Sequence, residues 1–280
     1  MRNFDLHCHS NVSDGMLRPE AVAERAYRNG VDVWALTDHD EVSGIAPARQ
    51  AAQELGMDFV TGVEISITWA NQTVHIVGLR FDETNQVLID GLEQTRSGRE
   101  RRAHEIAAQL EAAGIPDAFE GAAKYVDNLD LISRTHFARY ILELGVHKDI
   151  STIFRHYLSE GKPGYVPHRW ASLEQAVGWI RQAGGVAIIA HPGRYKFDAL
   201  AFDALYDQFR QLGGAGIEVV TGSHTVAQYA EYAKVAQRYG FLASRGSDFH
   251  GPGESHIELG LLPPLPAGLT PVWHDWELQK

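Results

Sequence analysis

Histidines and carboxylates recur in short groups along this 280-residue sequence, at spacings that suit divalent cations. His7 and His9 are separated by one residue, and so are Asp248 and His250. In an extended strand residues i and i+2 point to the same side, so each pair can grip one ion. Asp14 follows the first pair, Asp38-His39-Asp40 forms another group, and Glu64, His75 and His191 each fall in or just after an apolar run. Imidazole with carboxylate, and no thiolate, suits Zn²⁺, Mn²⁺ or Fe²⁺ better than a structural thiolate site. A carboxylate such as Glu64 can bridge two ions, which favours two-metal catalysis of an in-line displacement. A lone His-x-His is commonly a surface or hydrogen-bonded pair. The whole series differs because its groups fall at strand ends in the same phase. Cys8, between two ligands, points to the opposite face and reads as a small buried filler.

The elements that must position these residues are legible as alternating strands and helices. Buried strands are expected at 32–36, 58–61, 73–77, 186–189, 216–220 and 241–243. Helices are expected at 19–29, 43–55, 173–182 and 225–239, several closed by glycine. That order predicts a parallel α/β barrel, whose strands end at one rim where loops build the site. Residues 98–167 break the rhythm, with helices at 99–113, 133–144 and 150–158 and no strand. The reading is a discontinuous barrel, residues 1–97 and 168–280, with a helical insertion at 98–167 over its mouth. The Pro263-Pro264-Leu265-Pro266 tail has no assignment.

The apolar fraction of 44% is enough for a sizeable core, and no long uncharged apolar run suggests a membrane span. The start, Met1-Arg2-Asn3-Phe4-Asp5, does not read as a signal peptide. The single cysteine excludes an internal disulfide and fits a reducing cytoplasm. A formal charge of −11 disfavours binding of long nucleic acids, while a small anion drawn to a few metals and arginines remains compatible. No obligate protein partner is evident.

His7-Cys8-His9-Ser10, Thr37-Asp38-His39-Asp40, Ala190-His191-Pro192 and Ser247-Asp248-Phe249-His250 resemble the four motifs of the PHP (polymerase and histidinol phosphatase) family. Glu64 and His75 match the ligands between its second and third motifs. The resemblance implies a distorted (β/α)7 barrel with a trinuclear metal centre, manganese being the usual metal. It also implies that His7, His9, Glu64 and Asp248 hold one ion, Glu64, His75 and His191 a second, and Asp14, His39 and His250 a third. Asp38 and Asp40 are expected to orient ligand imidazoles.

A phosphate also needs donors beyond the metals. Ser133, Arg134 and His136 open an expected helix, whose N-terminus favours anions. Lys162, Arg169 and Arg194 are further candidates, and Asp14 is both a ligand and a candidate substrate contact. Arg134 and Arg169 could equally be surface cations in weak salt bridges. Tyr125, Phe119, Tyr165 or Trp170 could stack on a base, although aromatics more often pack. The Ser133–His136 and Lys162–Val166 stretches are similar to the family branch containing 3′,5′-nucleoside bisphosphate phosphatases and exoribonucleases of short RNA.

The expected activity is therefore hydrolysis of the 3′-phosphate of a 3′,5′-nucleoside bisphosphate by metal-activated hydroxide, giving AMP from adenosine 3′,5′-bisphosphate. His191 and Asp248 are expected in the catalytic set. Arg194 or His224 would stabilise charge or protonate the leaving oxygen. Alternatives are a 5′-3′ exoribonuclease on short 5′-phosphorylated RNA, a histidinol-phosphatase-like enzyme, or a non-catalytic metal-binding regulator. An amidohydrolase would commonly carry a carboxylated lysine, and none stands beside Glu64 or His75.

Overall fold

Among the described residues seven strands form one sheet in chain order: β1 (Phe4–Asp5), β2 (Val33–Leu36), β3 (Asp58–Trp69), β4 (Gln72–Leu79), β5 (Val186–Ile189), β6 (Gly216–Thr221) and β7 (Leu242–Gly246). They come from a computed structural model, which describes residues 2–278. The sheet closes beyond β1 and β7. Leu6 N–H donates to the Arg245 carbonyl at 3.1 Å, and Cys8 bridges Phe249 in parallel. Closure demands a glycine at the end of β7, because a Cβ on Gly246 would lie 2.5 Å from the His7 nitrogen.

The expected all-parallel order is corrected in one place. β4 runs antiparallel to both β3 and β5, while the other neighbouring pairs are parallel. The cause is a tight hairpin at Ala70-Asn71, both in the left-handed region (φ 45° and 60°), a conformation suited to two-residue β-turns. β3 is therefore twelve residues long rather than four. His75 falls in the N-terminal half of its strand, opposite Ser66.

Among the described residues ten α-helices surround and cap the sheet: α1 (Pro19–Arg28), α2 (Ile45–Glu54), α3 (Gln86–Arg96), α4 (Arg99–Ala112), α5 (Ala118–Ala123), α6 (Arg134–Glu143), α7 (Ile150–Ile153), α8 (Leu173–Gln182), α9 (Ala199–Gln211) and α10 (Val226–Tyr239). Local chemistry sets their ends. Ser133, Ser172 and Thr225 form capping boxes with His136, Gln175 and Gln228, satisfying first-turn N–H groups. Gly240 stops α10 in the left-handed conformation (φ 69°). α3, α5 and α9 are additional to the helices expected from sequence. α7 continues into a π-helical turn over Phe154–Leu158, a distortion common at functional sites.

The helices between 99 and 158 carry their own apolar cluster, including Ile106, Leu110, Phe137, Ile141, Ile153 and Leu158. The C-terminal tail closes the barrel floor. Thr270 and Val272 pair with Ala243, and Trp273 stacks on Phe4 with ring centroids 4.1 Å apart. Among the described residues, no helix is long and apolar enough to cross a membrane.

Candidate metal centre and anion cavity

The barrel seam brings the two i, i+2 pairs face to face. Asp248 N–H donates to the His7 carbonyl and His9 N–H to that of Phe249, both at 2.8 Å. His7 Nε2 and His9 Nε2 end 3.2 Å apart, and His9 Nε2 lies 3.4 Å from Asp248 Oδ1. β3 delivers Glu64 to the centre. Its Oε2 is 3.3 Å from His7 Nε2, 3.3 Å from His9 Nε2 and 3.0 Å from His39 Nδ1. Its Oε1 is 2.8 Å from His191 Nε2 and 3.0 Å from His75 Nδ1. Asp14 Oδ1 lies 3.4 Å from His250 Nε2 and 3.7 Å from His39 Nε2. All nine sequence-predicted ligands thus meet in one cluster. Asp40, His191 and Asp248 all have positive φ (52°, 23° and 54°), so backbone strain concentrates at this rim.

Donor atoms sharing an ion at ~2.1 Å lie roughly 3 to 3.5 Å apart, close to the spacing seen here. Four groups of donors converge: His9-Asp14-His39-His250, His7-His9-Asp248, His7-Glu64-His191 and His39-Glu64-His75. Asp14 Oδ1, Glu64 Oε2 and Asp248 Oδ1 are buried with no hydrogen-bond donor among the described residues. Buried carboxylate oxygens are ordinarily satisfied, so these fit cations.

The electrostatics agree. Burial raises the carboxyls of Asp14, Glu64 and Asp248, but the surrounding imidazoles outweigh it and hold all three well below the usual range. Burial lowers His9, yet the adjacent Asp248 and Glu64 carboxylates prevail and raise it to about 10. Burial, then the Arg194 cation, lowers His191 to about 3.

The orienting residues differ from those expected. Asp38 accepts from Ser10 N–H, Ser10 Oγ and Ser13 Oγ at 2.8, 2.7 and 2.6 Å, so it shapes a loop rather than aligning an imidazole. Asp40 accepts from Ser66 N–H at 2.7 Å and pairs with Arg99. Glu218, missed in the sequence, aligns His7 and His191 instead. His7 Nδ1–H donates to its Oε1 at 2.8 Å and His191 N–H to its Oε2 at 2.6 Å. Its signal was a lone acid in the apolar strand Gly216–Thr221.

Two cavities flank the cluster. The smaller, about 110 Å³, is lined both by Asp14, His39, His75 and His250 and by Arg99, Arg102, Arg134 and Arg194. Arg99 and Arg102 are 5% and 8% exposed and were not anticipated. Both lie over the Trp170 ring, at 4.4 and 5.3 Å. Arg134 donates to the Leu158 carbonyl at 3.0 Å and Arg102 Nε to that of Val166 at 2.9 Å. Among the described residues neither Arg102 nor Arg134 has a carboxylate partner. Burial, then Arg134 and Arg99, lowers Arg102 to about 9. A buried cation such as Arg102, repelled by its neighbours and bonded to no acid of its own, is costly alone and suits an incoming anion. The larger cavity, about 520 Å³, opens past Asp248, His250 and Arg194 toward Ile150, Phe154 and Ser223.

Other sequence-predicted contacts are placed as follows. Arg194 is half-exposed, lines both cavities and donates to Asp248 Oδ2 at 2.9 Å. Ser133 Oγ donates to Asp14 Oδ2 at 3.2 Å, beside Thr135 Oγ1 at 2.9 Å. His136 is corrected: it is fully buried, and its Nδ1 accepts from Ser133 N–H as a helix cap. Lys162 and Arg169 are corrected too, being exposed and lining neither cavity. His224 is corrected as an acid. Its Nδ1–H donates to the Val219 carbonyl at 3.1 Å and its Nε2 accepts from Gly193 N–H at 3.0 Å, so both nitrogens brace the turn before Arg194. Phe119 stacks on His104, and Tyr125 donates to Glu143. Tyr165 lies beneath Arg134.

Comparison with known proteins matches the PHP domain model to residues 5–242. A Chromobacterium violaceum protein named 3′,5′-nucleoside bisphosphate phosphatase is 49% identical, covering 99% of this chain and 97% of its own. A Haemophilus influenzae protein named 5′-3′ exoribonuclease is 42% identical, covering 98% of this chain and 99% of its own. A Chromobacterium violaceum structure, described as an amidohydrolase with bound sulfate and no metal, superposes with a TM-score of 0.95 at 49% identity. It covers 98% of this chain and 95% of its own. With the motif set, the barrel and the clustered ligands in agreement, the chain belongs to the PHP domain family.

Proposed function

We propose that this protein is a metal-dependent phosphomonoesterase that removes the 3′-phosphate of 3′,5′-nucleoside bisphosphates, giving inorganic phosphate and a nucleoside 5′-monophosphate. The observation that carries the reading is the arginine cavity directly against the ligand cluster. One phosphate belongs among the His and Asp/Glu donors and the second among Arg99, Arg102 and Arg134. The likeness to a bisphosphate phosphatase supports it.

Three divalent ions, manganese in this reading, with Zn²⁺ or Fe²⁺ suited to the same donors, would be held by His7, His9, Glu64 and Asp248, by Glu64, His75 and His191, and by Asp14, His39 and His250. Divalent ions held there would supply Lewis acidity toward a phosphate and toward water. Glu218 fixes the His7 tautomer through its hydrogen bond. Arg194, anchored on Asp248, presents its cation to the scissile phosphate. Ser133 and Thr135 steady Asp14. Residues 98–167 act as an insertion that brings Arg99, Arg102 and Arg134 to the barrel mouth. A single buried cysteine fits a cytoplasmic setting.

The larger cavity favours a second reading, in which a nucleotide continues beyond the scissile phosphate and short 5′-phosphorylated RNA is the substrate. The likeness to an exoribonuclease supports it. Chelator-stripped protein restored with Mn²⁺ is expected to release phosphate and AMP from adenosine 3′,5′-bisphosphate. No release from the bisphosphate, with 5′-phosphorylated diadenylate cleaved in parallel, transfers the function to the second reading.

A further inference from the structure

Arg139 takes no part in either cavity, yet it is buried where three segments meet. It projects from α6. Its Nε and Nη2 donate to Glu254 Oε1 and Oε2, each at 2.8 Å, a two-point fork on one carboxylate. The same Nη2 donates to the Asp14 carbonyl at 2.7 Å. Glu254 follows His250 by four residues, and the next residue, Ser255, accepts from His250 N–H through its Oγ at 2.8 Å. The loop holding Asp14 and the loop after His250 also touch directly, with Met16 N–H donating to the His250 carbonyl at 2.6 Å.

Asp14 and His250 are two of the donors that converge with His9 and His39. Each is carried on a loop with little regular structure of its own. His7 and Glu64, by contrast, are fixed by strand pairing and barrel closure. The donors at Asp14 and His250 therefore need an external brace. α6 supplies it twice, through Ser133 and Thr135 on the Asp14 carboxylate and through Arg139 on its backbone.

We infer that Arg139, paired with Glu254, is a positioning residue that locks the Asp14 and His250 loops together and so builds one of the metal positions from the insertion side. The inference rests on the metal-centre reading above. It separates one ion from the others: affinity at Asp14-His39-His250 depends on the clamp, while the positions at His7-His9-Asp248 and Glu64-His75-His191 do not.

The test is calorimetric titration of the chelator-stripped full chain with Mn²⁺, with bound metal counted after dialysis. Arg139→Met is expected to weaken one binding step by about 10- to 100-fold, the range for residues that orient ligands, leaving the other steps within about twofold. Glu254→Gln, which keeps side-chain volume, gives the same selective loss and serves if the arginine variant does not fold. Arg139→Lys, which can keep one donor on Glu254, recovers part of the affinity. Equal weakening of every step, or no change in any step, overturns the inference. Wild-type protein that binds no Mn²⁺ overturns the metal-centre reading itself, a different and recognisable result.

Discussion

Replacing Glu64 by Ala lowers kcat/KM for adenosine 3′,5′-bisphosphate by roughly 10³-fold and strips divalent metal from the purified protein. The expectation follows from position. Glu64 is fully buried, and its two oxygens approach His7, His9, His39, His75 and His191 within 3.3 Å. Glu218 also touches His7 and His191, the latter through its backbone N–H, but among the described residues only Glu64 sets its oxygens against ring nitrogens of both His7-His9 and His75-His191. Losing it removes an anion from among imidazoles whose positions it sets, so the damage spreads to several donors at once. Glu64→Gln keeps the volume and loses the charge, and should fall nearly as far. Metal content by atomic spectroscopy, read beside the kinetics, checks the cause. Activity within tenfold of wild type at unchanged metal content would remove Glu64 from the centre.

The second large effect is selective. Arg134→Ala and Arg102→Ala each raise KM for the bisphosphate by about 10²-fold, while kcat/KM for a simple aryl phosphate changes by less than about threefold. Both guanidinium groups face the small cavity, and neither is among the clustered metal donors. An aryl phosphate has one phosphate and has no use for them. Stability should respond in the unusual direction for Arg102→Ala. Its buried cation repels Arg134 and Arg99 and has no carboxylate bonded to it, so the melting temperature should hold or rise. Equal losses on both substrates would show that these arginines serve the cluster and not the second phosphate.

The ligand set was legible because its signals are local. His7-x-His9 and Asp248-x-His250 state their own side-chain direction through strand period, and strand ends gather by topology. The hairpin that reverses β4 was not read, because Ala70-Asn71 lacks the following glycine that marks such turns. The alternation Val63-Glu64-Ile65-Ser66-Ile67-Thr68 did carry the longer strand.

Arg99 and Arg102 were hidden in a charged, alanine-rich helix where every arginine looked solvated. Only the fold separates them. Arg101 is exposed and pairs with Glu105 one turn on, whereas Arg99 and Arg102, three residues apart, share the face turned to Trp170. Lys162, Arg169 and His136 failed for the converse reason, since closeness in sequence to a site says nothing of side-chain direction. His224 looked chemical because it is a histidine beyond a strand end. Its two backbone hydrogen bonds could be known only from the turn at Pro192–Arg194.

In the proposed function a metal cluster and an arginine cavity bind two phosphates of one nucleotide. Diffraction from crystals soaked with Mn²⁺ and AMP tests it directly, with the metals located by anomalous scattering. The predicted result is manganese among the Asp14, Glu64 and Asp248 carboxylates, with the 5′-phosphate of AMP hydrogen-bonded to Arg102 and Arg134. A 5′-phosphate bound outside that cavity, with manganese in place, would contradict the account.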